Sequence, residues 1–166
     1  MRKLGIIGAA VTAVVAALAL SACAGFTPMY ARPGVAQGSA RIDVRTPNTR
    51  TGYLLRESLE DALAYDRSAP PEYRLNVSLS ERRQPRGLDE NRVATRFEVR
   101  VAATYALTEI ASGRTVLRGN RPIHVTYDTT DQPYAGIVAQ QDAQVRAAHE
   151  AAERIKTDVL TWFATR

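Results

Sequence analysis

The 166-residue chain contains one cysteine, Cys23, and two lysines, Lys3 and Lys156. A single cysteine cannot form an internal disulfide or a cysteine-rich metal site, so the fold must be stabilised by packing alone. The sequence also lacks a glycine-rich phosphate loop, a nucleophile motif and a recognisable pair of catalytic carboxylates. His124 and His149 have no neighbours at metal-ligand spacing. These absences predict a protein that is not an enzyme and that carries no metal or other cofactor.

Only one long apolar run is present, and it lies near the N-terminus. Residues 4–20 contain no charged side chain, follow two basic residues and precede the small residues Ser21 and Ala22. This is the three-part pattern of a secretory signal peptide. The run is at the short end for spanning a bilayer, and no basic cluster follows it, which disfavours a transmembrane anchor. We therefore predict a signal peptide at residues 1–22 that is removed from the mature protein.

The residue directly after the predicted cleavage site is the only cysteine of the chain. The motif Leu20-Ser21-Ala22-Cys23 resembles the lipobox of bacterial lipoproteins. The resemblance implies that the Cys23 thiol carries a diacylglycerol, that the peptide is cut before Cys23 and that the new amine is acylated, with palmitate among the chains. Several buried acyl chains hold a protein firmly at a membrane surface without spanning it. We therefore predict a lipid-anchored protein.

Loss of the signal peptide removes Arg2 and Lys3 and lowers the net charge from +5 to about +3. This mild excess of positive charge is not typical of a nucleic-acid-binding protein, so no nucleic-acid partner is expected. Nearly all remaining cations are arginines, whose planar guanidinium group can bind phosphate through two parallel hydrogen bonds. A GC-rich genome would enrich arginine and alanine as well, and this compositional explanation is favoured on the sequence alone.

The mature chain divides into a tether and a single domain. Residues 23–40 combine three glycines and two prolines with little periodicity, and we predict that they form a flexible, lipidated tether. Residues 41–166 are predicted to form one α/β domain, which is long enough to bury a core of its own.

Within the predicted domain, the hydrophobic pattern alternates between a strand period and a helix period. It predicts strands at 40–44, 73–80, 93–107 and 115–127, helices at 51–65 and 134–163, a hairpin turn at 111–114 and a bend at 119–122. The resulting order β-α-β-β-β-α predicts an α+β fold, a two-layer sandwich. It consists of a four-stranded, mainly antiparallel sheet with two α-helices packed on one face. The regularly spaced apolar residues of the last helix, which include Val138 and Val145, are interpreted as packing on the sheet rather than as a coiled-coil dimer interface.

The segment between the second and third predicted strands, residues 82–92, is the most charged part of the chain. Pro85 and Gly87 predict a turn, and loops at the end of a rigid sheet often carry binding groups. The candidate lipid-phosphate ligands are Arg82, Arg83, Arg86, Arg92 and, one pleat further on, Arg96. The alternative is a solvated hairpin tip partly balanced by Asp89 and Glu90, and the sequence alone favours it.

Three stretches resemble the LPS-assembly lipoprotein family (LptE), the lipoprotein subunit of the outer-membrane lipopolysaccharide translocon. Residues 23–30, Cys-Ala-Gly-Phe-Thr-Pro-Met-Tyr, resemble the Cys-Gly-Phe-x-Pro-Leu-Tyr start of many members, with one extra alanine and methionine for leucine. Residues 132–135, Gln-Pro-Tyr-Ala, resemble the loop that enters the last helix. The alanine-rich helix with Asp142-Ala143 and Arg146-Ala147-Ala148 resembles the closing helix of the family, and the order of elements agrees along the mature chain.

The resemblance implies an outer-membrane lipoprotein whose domain lies on the periplasmic side or within the lumen of the β-barrel translocon subunit. There the family assists assembly of the barrel, plugs its lumen and binds lipopolysaccharide during transport to the outer leaflet. Ala24 after Cys23 resembles a signal for outer-membrane sorting. The lipid contacts of the family cannot be aligned residue by residue with the five arginines, so these are candidates for lipopolysaccharide binding on chemical grounds.

Two other functions remain open from the sequence. The first is an auxiliary lipoprotein of an ABC-type phospholipid transport system, which would copurify with a permease. The second is a lipid-anchored enzyme, for which the sequence supplies no catalytic constellation.

Overall fold

The computed structural model describes residues 34–88, 94–129 and 132–166. Its elements in chain order are α1 (Val35–Ser39), β1 (Ile42–Arg45), α2 (Arg50–Ala62), β2 (Tyr73–Leu88), β3 (Ala94–Glu109), β4 (Thr115–Asp128) and α3 (Pro133–Thr165). The strands form one sheet in the order β1-β2-β3-β4, in which β1 is parallel to β2 and the other neighbours are antiparallel. The predicted α+β fold is confirmed, and the short α1 adds to the two predicted helices.

Helix α1 lies where the sequence predicts the end of the tether. Val35, Gly38 and Ser39 are buried, and a β-carbon on Gly38 would lie 2.4 Å from the ring of Phe163. The prediction of an extended tether is therefore wrong at residues 35–39, because contact with α3 makes this short helix part of the domain. The signal peptide and residues 23–33 of the predicted tether, including Cys23, lie outside the described residues.

The core lies between the sheet and the helices α2 and α3. It contains Ile42 and Val44 of β1, Leu75 and Val77 of β2, Val99, Val101, Ala103, Tyr105 and Leu107 of β3, Ile123 and Val125 of β4, Leu55 and Leu59 of α2, and Ile155 and Val159 of α3. Alternate residues of each strand therefore face the helices, as period-two alternation requires. Burying one such aliphatic side chain contributes about 1.5–3 kcal/mol, so the pattern determines which face of the sheet the helices cover.

Helix α3 has 33 residues and is about 50 Å long. Its small buried residues Ala143, Ala147 and Ala151 let it lie close to the sheet. Val138 and Val145, however, are 63% and 43% exposed, so the prediction that they pack on the sheet is wrong. The apolar residues keep a regular helical spacing along all of α3. Helix α2 has only 13 residues and is too short to cover the full length of α3.

Strand β2 continues through the segment that the sequence assigns to a loop. Arg82 pairs with Arg100 of β3, and Pro85 pairs with Phe97, so the loop prediction is wrong for residues 82–88. Proline is accommodated in sheets at edge strands, and β1 pairs with β2 only over residues 73–76. The register shifts next to Gly87 account for the turn-like composition of this segment.

Strand β4 runs through residues 119–122 without a register shift, so the predicted bend there is also wrong. Gly119 instead makes room for Tyr105, the residue directly opposite it in β3. A β-carbon on Gly119 would lie 2.4 Å from the phenol oxygen of Tyr105. The glycine is therefore required by an aromatic ring on the neighbouring strand and not by a turn.

We expect Gly119→Ala to lower the free energy of unfolding by about 2 kcal/mol, because overpacking of a tight site carries a cost of this order. Tyr105 is 3% exposed, and its hydroxyl donates a hydrogen bond to Asp158, so the ring cannot move aside. Urea denaturation followed by circular dichroism measures the change. Gly136→Ala is the matched control, since its nearest side-chain atom is 3.8 Å away; it should leave stability unchanged or raise it. Equal stability of the two variants would contradict the explanation.

A candidate anion-binding surface on the open face of the sheet

The face of the sheet opposite the helices is uncovered within the described chain and carries polar side chains. Arg74, Arg96, Thr104 and Thr126 lie on this face, and all four are exposed. The middle of this face carries small side chains such as Ser78. Long basic side chains lie at both ends of this face. Arg74 and Arg118 lie where β3 leads into β4, and Arg82, Arg96 and Arg100 lie where β2 leads into β3.

Strand register places three basic residues in one row across the open face. Arg82 of β2 is directly opposite Arg100 of β3, which is directly opposite His124 of β4. We call these three residues the basic row. Side chains at directly opposite positions lie about 5 Å apart at their β-carbons, and like charges placed there repel each other. The Arg82 side chain has no hydrogen-bond or ion-pair partner among the described residues.

Glu98, which lies in the adjacent row, partly compensates this positive charge. Its carboxylate accepts hydrogen bonds from Nε of Arg86 and, at 2.6 Å, from Nε of Arg100, and it lies 2.7 Å from Nδ1 of His124. The Glu98 side chain is 8% exposed although it lies on the open face, because these three partners cover it. The arrangement is therefore a buried acceptor beneath a cationic surface.

Hydrogen bonding within this cluster favours the charged forms of Glu98 and Arg86. The hydrogen bond from Arg86, followed by those from Arg100 and His124, holds the pKa of the Glu98 carboxyl well below its usual range. The same hydrogen bond raises the pKa of Arg86. Three guanidinium groups and one carboxylate leave a net charge of about +2 without counting His124. Arg86 and Arg100 bind Glu98 through Nε, and a guanidinium has four further N–H donors with which it can bind an anion such as phosphate.

Arg96 lies on the same face but is already paired. Its Nε lies 2.7 Å from Oδ1 of Asp128, and its Nη2 lies 3.5 Å from Oδ2. This hydrogen bonding raises the pKa of Arg96 and lowers the pKa of the Asp128 carboxyl. Because its charge is neutralised by this exposed carboxylate, Arg96 is a weaker anion ligand than Arg82.

Arg83 points to the opposite side of the sheet. Its guanidinium carbon lies 4.6 Å from the centroid of the Phe97 ring, and its Nη1 donates to Oε1 of Gln140 in α3 at 2.9 Å. Arg83 therefore joins β2 to α3 and does not act together with Arg82. Arg92 lies outside the described residues.

The structure thus brings two of the predicted arginines, Arg82 and Arg86, together with Arg100, His124 and Glu98, which the sequence analysis did not assign to a site. The signal that could have found them is strand register. If β2 and β3 are paired as an antiparallel hairpin with a short turn, Arg82 lies directly opposite Arg100.

The geometry defines a class of protein, a two-layer α+β domain whose open sheet face presents a cationic row. In the part of the chain that the structure describes, no group of three or more His, Cys, Asp or Glu side chains could hold a metal ion. No helix among these residues is both long and apolar enough to cross a membrane.

The chain belongs to the lipopolysaccharide-assembly family, LptE, whose family model matches residues 39–159. A lipoprotein of solved structure from Caulobacter crescentus CB15 is 46% identical, with coverage of 79% of this chain and 96% of that chain and a TM-score of 0.69. The resemblance inferred from the motifs is therefore confirmed. LptE proteins are non-enzymatic lipoproteins of the cell envelope that act in lipopolysaccharide assembly. No curated protein matches the sequence.

More distant lipoproteins share the fold. A minor lipoprotein from Acinetobacter baumannii is 17% identical, with coverage of 74% of this chain and 92% of that chain and a TM-score of 0.55. Lipoprotein B from Nitrosomonas europaea is 15% identical, with coverage of 82% and 92% and a TM-score of 0.50. At this level of identity the similarity concerns the fold alone.

Proposed function

We propose that this chain is an outer-membrane lipoprotein that forms a complex with the β-barrel subunit of the lipopolysaccharide translocon. In that complex it assists assembly of the barrel, plugs its lumen and binds lipopolysaccharide during transport to the outer leaflet. Acyl chains on Cys23 anchor it after the signal peptide is removed. Membership of the lipopolysaccharide-assembly family supports the pathway, and the basic row with its buried Glu98 is the observation that supports the ligand.

The chemistry of the basic row fits the phosphate groups of lipopolysaccharide. A phosphate monoester carries a charge of about −1.5 to −2 at pH 7. This charge is opposite in sign and similar in size to the net charge of Arg82, Arg86, Arg100 and Glu98. Glu98 holds two of these guanidinium groups in place before the ligand arrives, which reduces the entropy lost on binding. The site is therefore organised in advance for an anion with several acceptor oxygens.

The polarity of the open face fits a position inside a barrel. The lumen of a membrane β-barrel is polar and filled with water, so a domain within it needs a polar outer surface. Small side chains such as Ser78 and Thr104 on an open face meet this requirement without an apolar partner.

Affinity purification of the full-length lipoprotein from detergent-solubilised outer membrane, followed by mass spectrometry, tests the proposed partner. We expect one large β-barrel protein to copurify in stoichiometric amount. An unrelated outer-membrane lipoprotein with the same tag is the control and should not retain it. Recovery of an ABC permease in place of a barrel, or of neither protein, would contradict the proposal.

A further inference from the structure

Four of the six large hydrophobic residues that are exposed in the described chain lie between Pro133 and Val145 of α3. They are Tyr134, Ile137, Val138 and Val145, with exposed fractions of 84%, 54%, 63% and 43%. At 3.6 residues per turn these four positions fall within a sector of roughly 100° on the helix surface, in which the exposed Gln141 separates Val145 from the other three. We call this group the apolar stripe. Single exposed apolar residues are ordinary, whereas a contiguous group of them marks a surface that binds something.

The stripe continues a surface that is buried elsewhere on the same helix. In the second half of α3 the same sector contains Ala148, Ala152, Ile155 and Val159, all of which are buried. Glu81 of β2 accepts hydrogen bonds both from Thr51 in the first turn of α2 and from Gln144 of α3. Helix α2 therefore begins at the level of Gln144. Tyr134 lies about 15 Å further along the axis of α3, so three of the four residues of the stripe extend beyond the first turn of α2.

The border of the stripe carries positive charge. Gln140 adjoins the stripe on the side of β2, and it accepts a hydrogen bond from the guanidinium group of Arg83. Arg83 is itself exposed, so its remaining donors are accessible. An apolar strip bordered by an exposed guanidinium is complementary to an amphiphile that has an acyl chain and an anionic head group. It does not complement a purely polar ligand.

We propose that the apolar stripe of α3 binds an acyl chain of the anionic lipid, with Arg83 beside its head group. This inference rests on the proposed function, because the lipid is the same lipopolysaccharide, and it adds a second contact surface of different chemistry. The basic row and the stripe lie on opposite faces of the sheet. The row recognises phosphate, and the stripe recognises hydrocarbon. Binding of the lipid to the apolar stripe therefore depends on its acyl chains and not on its sugars.

Photocrosslinking tests this proposal on the full-length lipoprotein held in phosphatidylcholine nanodiscs. Benzoylphenylalanine replaces Val138 in one variant and Ala135 in the other. Ala135 is an exposed position of the same helix outside the sector of the stripe. The variants are irradiated with lipopolysaccharide, and the adducts are identified by mass spectrometry. We expect adducts with lipopolysaccharide acyl chains at position 138, at least tenfold more abundant than at 135, and none at 138 with deacylated lipopolysaccharide.

Three results would overturn the proposal: no lipopolysaccharide adduct at position 138, equal adducts at 135 and 138, or phosphatidylcholine as the main adduct at 138. Failure of the proposed ligand function is recognised separately. The proposed phosphate site fails if deacylated lipopolysaccharide, which retains the phosphates, does not bind the wild-type protein. The adduct at position 138 is a separate measurement and tests only the apolar stripe.

Discussion

Replacement of Asp158 by alanine is expected to lower the free energy of unfolding by about 2–3 kcal/mol, because a charged acceptor shared by two donors is lost. Asp158 of α3 accepts a hydrogen bond from Nε of Arg121 in β4 at 2.7 Å and another from the hydroxyl of Tyr105 in β3. Its side chain is 19% exposed. Without it, Arg121 and the buried Tyr105 lose the carboxylate to which they donate, and α3 loses a polar link to two strands.

Urea denaturation at pH 7 measures this change. Glu150→Ala is the matched control, because Glu150 also pairs with an arginine, Arg154, but both side chains are more than 40% exposed. An exposed pair of this kind contributes less than about 1 kcal/mol. If the two variants lose the same stability, the polar link through Asp158 is not a stabilising contact.

The stabilisation by Asp158 should also depend on pH. Burial raises the pKa of the Asp158 carboxyl, but the hydrogen bonds from Arg121 and Tyr105 outweigh burial and leave this pKa below its usual value. The unfolded chain therefore binds the proton more tightly than the folded chain does. The contribution is fully present above the unfolded pKa of about 3.9 and is lost as the pH falls through the folded value. Stability measured at pH 6 and pH 3 should differ less for Asp158→Asn than for the wild type.

The double variant Arg82→Gln, Arg100→Gln is expected to weaken binding of deacylated lipopolysaccharide by about 30-fold. A solvent-exposed charge pair contributes up to about 1 kcal/mol, and 1.4 kcal/mol corresponds to a factor of ten. Glutamine at position 100 keeps a hydrogen-bond donor for Glu98. The basic row therefore loses positive charge, while the Glu98 carboxylate keeps a donor at this position. Isothermal titration of the full-length lipoprotein in phosphatidylcholine nanodiscs gives the dissociation constants.

A control variant separates the row from the overall charge of the domain. Arg56→Gln, Arg67→Gln removes the same charge from α2 and its following turn, where both arginines pair with Glu60. This variant should bind deacylated lipopolysaccharide as the wild type does. Equal weakening by both double variants would mean that the ligand responds to net charge alone, and the basic row would not be its site.

Period-two and helical patterns were sufficient to predict the layers of this fold, because burial of alternate residues dominates the energetics of strands such as β3. The same patterns misplaced the end of β2. Pro85 and Gly87 are turn residues by local preference, but pairing of Pro85 with Phe97 continues the strand to Leu88. Tertiary pairing here overrides the local preference, and a single sequence contains no direct signal for it.

The candidate site was only partly predictable for a related reason. The sequence drew attention to Arg82 and Arg83 as neighbours, yet consecutive residues of a strand point to opposite faces. The contacts that form the site join residues far apart in the chain, since Glu98 and His124 are 26 positions apart. Proximity along the sequence therefore drew attention to this charged segment but did not identify the set of residues that lie together.

The length of α3 determines how far the basic row lies from the point at which the chain enters the domain. Gly38, close to that point, packs on Phe163, whereas Thr126, in the same row as Glu98, accepts a hydrogen bond from Arg146. The helix between Arg146 and Phe163 is about 25 Å long, which is about three Debye lengths at physiological salt. If the domain is anchored through Cys23 as proposed, salt screens the row over this distance from lipid head groups near the entry point. The row would then stay available to an anionic lipid that is delivered to it, instead of binding the neighbouring head groups.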